Sequence, residues 1–189
     1  MIMKKLIVKK AFVAMVFLLF AQFSMAQKTY QLQAKPELKI SGTSTLHDWD
    51  MPSSTATGTM TATEQGGKLT AISALSITMP AESIKSGKNA MDKKAYEALK
   101  TSKNKNVVFT LKSATKSGDT WTLNGTFNIA GVTKNVNIKA QETYSGGSFG
   151  LKGTYSFKLS DYNITPPTAV MGTIKTGNDV KMTFNVKFK

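Results

Sequence analysis

Residues 149–160, FGLKGTYSFKLS, alternate with a period of two. Phe149, Leu151, Gly153, Tyr155, Phe157 and Leu159 fall on one face, and Lys152, Thr154, Ser156 and Lys158 on the other. Successive side chains of an extended chain point to opposite sides, so this segment reads as a strand with one dry and one wet face. Residues 179–189, DVKMTFNVKFK, repeat the pattern, setting Val180, Met182, Phe184, Val186 and Phe188 against Lys181, Thr183, Asn185 and Lys187. Half-buried strands of this kind belong to antiparallel sheets.

The same periodicity predicts strands near 37–46, 55–63, 67–79, 106–114, 119–130, 132–143, 148–160 and 179–189, with residues 30–34 as an extra edge segment. Turn signals separate them at Gly66-Gly67, Gly118-Asp119, Ala130-Gly131 and Gly146-Gly147, the glycine-bearing pairs that tight hairpins use. Consecutive hairpins imply a meander. One segment departs from the period: in residues 89–100, NAMDKKAYEALK, Met91, Ala95, Ala98 and Leu99 recur at helical spacing. Asn89 is placed to cap that helix, with Asp92 completing a capping box. The expected class is therefore all-β with one inserted helix. Eight antiparallel strands with one apolar face hide it best by closing into a barrel, whose interior at that strand number is either filled by side chains or wide enough for one ligand.

The chain opens with a basic stretch, MIMKKLIVKK, then an apolar run and the small-residue pattern Ser24-Met25-Ala26. This reads as a secretory signal peptide over residues 1–26, with cleavage before Gln27, leaving 27–189 as one domain exported to the periplasm or beyond. The sequence has no cysteine, so no disulfide forms. Its formal charge of +14 comes entirely from lysines, 25 of them, with no arginine. Bidentate reading of bases and phosphates depends on the guanidinium fork, so a nucleic-acid partner is not expected.

Residues 41–50, SGTSTLHDWD, hold the only histidine of the chain beside an acid and one of two tryptophans. A hydrolase would need a base, a nucleophile and an orienting group converging on one point. His47 and Asp48 are neighbours in an extended segment and face apart, so a catalytic role is not expected and the protein is not read as an enzyme. A zinc site wants three or four Cys, His or carboxylate ligands, and no phosphate-binding loop motif occurs, so neither a metal nor a cofactor is expected. Leu46, His47 and Trp49 read as the end of the first long strand, with Trp49 packing and one imidazole nitrogen bonded to nearby backbone or a hydroxyl.

Two features remain. Lysines crowd the helix at Lys85, Lys88, Lys93, Lys94, Lys100, Lys103 and Lys105, and Phe109, Trp121, Phe127, Phe149, Tyr155, Phe157 and Phe184 alternate in step with the strands. The lysines are either a solvated face or a basic rim for an acidic head group or an anionic membrane. The aromatics either fill a closed core or line a channel.

Four stretches carry a resemblance: SGTSTLHDWDM, MPAESIKSGKNAMDKKAYEALKTSKNKNVVFTLKS, GTFNIAGVTKNVNIKA and DYNITPPTAVMGTIKTGNDVKMTFNVKFK. In order and character they resemble the YceI-like polyisoprenoid-binding proteins over nearly all of 27–189. The resemblance implies a lipocalin-like, eight-stranded antiparallel barrel with a helix, whose interior holds an isoprenoid or other amphiphilic chain. On that expectation Phe109, Trp121, Phe127, Phe149, Tyr155, Phe157, Met182 and Phe184 line the channel. His47, Lys93, Lys94, Lys100 and Lys103 are the candidates to meet the head group, with peripheral membrane contact as a further expectation. The alternative is a packed barrel that acts through its basic surface on an envelope partner or an anionic membrane.

Overall fold

The structure is a computed structural model that describes residues 27–189; the expected signal peptide, 1–26, lies outside the described residues. The strands are β1 (Lys28–Gln31), β2 (Glu37–Ser44), β3 (Trp49–Ser53), β4 (Thr57–Gln65), β5 (Lys68–Pro80), β6 (Asn106–Ser117), β7 (Thr120–Ile129), β8 (Val132–Ser145), β9 (Ser148–Lys158), β10 (Thr168–Ala169) and β11 (Ile174–Phe188). The helix α1 (Asn89–Leu99) stands between β5 and β6. Ten strands lie side by side in the order β1-β4-β5-β6-β7-β8-β9-β11-β2-β3, and β10 adds a short pairing to β11. The meander expected from the hairpin signals runs from β4 to β9.

The sheet curls until its borders approach. Gln31 and Gln33 N–H donate to the carbonyls of Lys189 and Lys187, both at 2.8 Å, so the N-terminal segment bridges β4 to the end of β11. At the other end Lys85 N–H donates to Pro52 O at 3.0 Å and the Ser53 and Ser83 hydroxyls meet at 2.8 Å, tying β3 to the turn before α1. The all-β barrel with one helix is as expected, but the count of eight strands is corrected. β3 and β10 are too short to show a period. β3 also carries Pro52, which lacks the N–H a central strand would need and is tolerated because β3 is an edge.

Inward positions follow the alternation closely. In β7, Trp121, Leu123, Gly125, Phe127 and Ile129 are all buried, and in β8 so are Val136, Ile138, Ala140 and Glu142. Phe184 and Gly153 stand opposite each other on β11 and β9. A Cβ at 153 would collide with the Phe184 ring and with Lys139 O, so glycine there lets the ring fold across its neighbour. β8 and β9 pair only from Ala140 to Ser145 and then splay. Tyr162 and Ile164 are almost fully buried, Tyr162 in a turn that packs beside β8, β9 and β11, with its ring edge-on to Phe157 and its hydroxyl 3.3 Å from that of Tyr155. Burial raises the pKa of the Tyr162 hydroxyl well above the ordinary tyrosine value.

One acid occupies an inward position, and it seals one end of the barrel. Glu142 accepts from the Leu69 N–H at 2.9 Å and from the Trp121 indole at 2.7 Å, and pairs with the Lys116 ammonium at 2.7 Å. Lys116 also donates to the Leu69 carbonyl and lies over the Trp121 ring. Tyr30, Phe149 and Tyr144 pack as an aromatic cluster at the same end. A buried charge that loses its partner is left uncompensated, so Glu142→Ala is expected to cost about 3–5 kcal/mol of stability. Urea unfolding with an unchanged slope should show it as a lower midpoint.

Candidate ligand cavity

Each strand can be read as depth from the seal. On β7 the order is Trp121 at the seal, Leu123 and Phe127 in the middle, Ile129 at the far end; on β11 it is Phe188, Val186, Phe184, Met182, Val180. The middle layer encloses a narrow cavity of about 60 Å³, walled by apolar side chains that include Leu75, Phe109, Leu123, Phe127, Ile138, Leu151 and Phe184. Beyond it, under α1, the barrel widens into a cavity of about 510 Å³. Ile40, Met79, Ile84, Val107 and Met182 face both, so the two spaces are divided by apolar side chains of which only the two methionines are unbranched. The larger volume falls in the range of small-molecule sites.

α1 supplies one wall with Ala90, Met91, Lys94, Ala95, Ala98 and Leu99. The expected apolar stripe is present; it packs partly against the core and also faces the cavity, and polar clamps hold the helix in place. The Asp92 carboxylate accepts from the Ser86 N–H at 2.7 Å and the Ser86 hydroxyl at 2.6 Å. Tyr96 O–H donates to the carbonyls of Ile84 at 2.8 Å and Glu82 at 3.0 Å. Thr101 O–H donates to the Glu82 carboxylate at 2.7 Å. The expected capping box is corrected: the helix is capped at Lys88 with no side-chain bond, and Asp92 serves the loop before it.

Of the aromatic and methionine candidates, Phe109, Phe127 and Phe184 line the inner cavity, Phe157 the outer, and Met182 both. Trp121 and Phe149 lie outside them, Trp121 held in the seal and Phe149 stacked with Tyr30 and Tyr144. Tyr155 also lies outside, stacked between Phe127 and Phe157. Of the head-group candidates, His47 and Lys94 line the mouth, while Lys93, Lys100 and Lys103 do not. Lys88 does, a residue that sequence reasoning placed in the cluster without singling it out. The small helix residues were also missed as lining, although three alanines on one stripe are the sign of a face that leaves room.

His47 stands in the turn between β2 and β3, exposed, its Nδ1–H donating to Asp48 O at 2.7 Å. Trp49 donates its indole N–H to Thr43 O at 2.9 Å and covers Gly42, where any Cβ would strike the ring. The expected lock at the end of the first strand is thus a turn joining two strands. Among the described residues, no group of three or more His, Cys, Asp or Glu is arranged to hold a metal ion.

A blind apolar pouch in a curled antiparallel barrel, with a helix across its mouth, is an arrangement with known relatives. Residues 21–188 match the YceI-like domain. The chain belongs to the YceI-like family. Burkholderia cenocepacia BcnA shares the fold with a TM-score of 0.68 at 11% identity, over 81% of this chain and 96% of its own. A polyisoprenoid-binding domain from Saccharophagus degradans, implicated in plant cell wall breakdown, is similar at 0.64 and 10% identity, over 85% of this chain and 97% of its own. A mutant Campylobacter jejuni YceI protein with a monobromobimane guest follows at 0.57 and 18% identity, over 70% and 80%. At these identities the likeness is one of fold. No curated protein sequence matches the chain significantly.

Ser86 bonds hold the Asp92 carboxyl below its ordinary range, its side-chain bond first and its backbone bond second. A depressed carboxylate pKa adds stability that is present above the unfolded value, about 3.9, and is lost as pH falls through the lower folded value. Asp92→Asn is therefore expected to lower the melting temperature at pH 7, by about 1 kcal/mol in stability, with the gap closing below about pH 4. Paired thermal melts across that range measure it.

Proposed function

We propose that the chain is an exported, non-enzymatic binding protein that holds one isoprenoid or other amphiphilic lipid chain in its barrel, in the periplasm or outside the cell. The observation that carries this reading is the pouch itself: lined mainly by apolar side chains, sealed at one end by Glu142, wide under α1, and divided from a narrower inner space only by side chains that the two share. Each methylene removed from water there contributes about 0.8 kcal/mol, so affinity grows with the length of chain accommodated. Met79 and Met182 stand between the two spaces, and unbranched thioether side chains re-pack easily, so a longer chain can reach the inner layer by displacing them. At the mouth Lys88, Lys94 and His47 offer donors to a polar or anionic head group. Family membership and the isoprenoid-binding relative support the choice of ligand class.

Native mass spectrometry of gently purified protein, with lipid extraction, is expected to show one co-purifying chain or stoichiometric uptake of an added polyprenyl lipid. Ala98→Trp puts a large side chain into existing space, so it should leave the melting temperature unchanged or higher while removing uptake. Displacing even two methylenes costs about 1.6 kcal/mol, roughly fifteenfold in affinity. A variant that takes up the lipid as well as the parent would show that the cavity is not the site.

A further inference from the structure

The rim of the pouch contradicts its own local chemistry. Val170 and Met171 are the central residues of the turn Ala169–Gly172, closed by Gly172 N–H donating to Ala169 O at 3.1 Å, with φ of 50° and 52°. Positive φ at both central positions is what type I′ turns require, and the residues that meet it without strain are Asn and Gly. A β-branched valine in that region is a steric outlier. Burial within the chain does not compensate: Val170 is 68% exposed and Met171 fully exposed. Leu46, 64% exposed, stands on the adjoining turn, which Thr45 ties to the same hairpin through its N–H to Lys175 O at 3.0 Å and its hydroxyl to Lys175 N–H at 3.1 Å.

Charge surrounds these apolar tips. Leu46, Val170, Lys88 and Lys94 line the same mouth, and Lys175 is paired with Thr168 in the hairpin. Acids lie near as well, but several are paired: Glu97 with Lys94 at 3.3 Å, Asp92 with Ser86, and, on the adjoining outer face that also carries Asp48 and Asp161, Asp50 with Lys39 and Asp179 with Lys158, both at 3.2 Å. Three apolar side chains on two protruding turns, ringed by lysines, match a surface with a soft apolar interior and an anionic boundary. A second copy of the chain would bring the same lysines against these, so like charges would oppose self-association.

We propose that this rim docks on an anionic lipid bilayer, with Leu46, Val170 and Met171 entering the interfacial layer, Lys88, Lys94 and Lys175 meeting lipid phosphates, and the mouth of the pouch facing the membrane. A lipid chain then moves between bilayer and barrel without crossing water. Docking stands on the exposed tips and charge alone; only the transfer step rests on the lipid-holding reading.

The test is co-sedimentation of the protein with vesicles of equal parts phosphatidylglycerol and phosphatidylcholine, and with phosphatidylcholine alone. Binding to the anionic vesicles, weakened by on the order of fivefold for each of Lys88, Lys94 and Lys175 changed to Gln, is the expected result. The deciding variant is Val170→Asn with Met171→Gly. It suits the turn better than the native pair, so it should melt no lower than the parent, yet it should lose vesicle binding by roughly tenfold or more. In the single variant Met171→Gly, at a residue outside the cavity lining, uptake of a polyprenyl lipid delivered from detergent should be unchanged, while uptake from vesicles slows. Full vesicle binding by the double variant, or none by the parent, would overturn docking and leave the lipid-holding reading standing. Self-association of the parent that the double variant abolishes, without vesicle binding, would overturn it in favour of a second copy. Failure of uptake from detergent by parent and single variant alike would sink the lipid-holding reading, and the transfer step with it, while docking would still be read from sedimentation.

Discussion

The carboxylate of Glu142 is a charge inside an apolar barrel, and its burial is tolerated only because three donors converge on it: the Lys116 ammonium, the Trp121 indole and the Leu69 amide. Satisfied in this way, it joins β5, β6, β7 and β8 at one level and leaves no opening there. Everything above depends on that closure. With that end closed, strands that continue upward from the seal carry their apolar faces into a space that narrows below and widens above, beneath α1.

The second condition is that something prevents the wide end from collapsing. An amphipathic helix ordinarily buries its apolar stripe against its sheet. Here Ser86–Asp92, Tyr96 and Thr101–Glu82 hold α1 to the segment before it through polar bonds, and the stripe, rich in alanine, is only partly buried against the core and also lines the cavity. The clamps add to that partial packing, and part of the apolar stripe faces the cavity. Natural proteins accept such unfilled space where function requires it, at a cost in stability.

Much of the architecture was legible in the chain. Alternation in β9 and β11 identified the inward residues there, the glycine-bearing turns identified the hairpins, and helical spacing identified α1 to within a residue. β3 and β10 escaped because five- and two-residue strands carry too little period to read. Among the candidate lining residues, Phe109, Phe127, Phe157, Phe184 and Met182 reach the cavities, while Trp121 and Phe149 lie at the seal and Tyr155 is stacked between the rings of Phe127 and Phe157, although all share the same parity. Parity reports which face a side chain is on and says nothing of its height along the barrel.

Taken alone, the sequence determined which residues point inward, that one helix interrupts the sheet, and that the chain is strongly basic, since these follow from local spacing and composition. The tertiary structure alone decided which end of the barrel is shut, because Lys116, Trp121, Glu142 and Leu69 come from four strands and meet only when the sheet curls. It also decided that part of the helix stripe faces the cavity, because that depends on the clamp lengths. And it placed Leu46, Val170 and Met171 together at the mouth, since residues far apart in the chain become neighbours only through the register of β11 against β2.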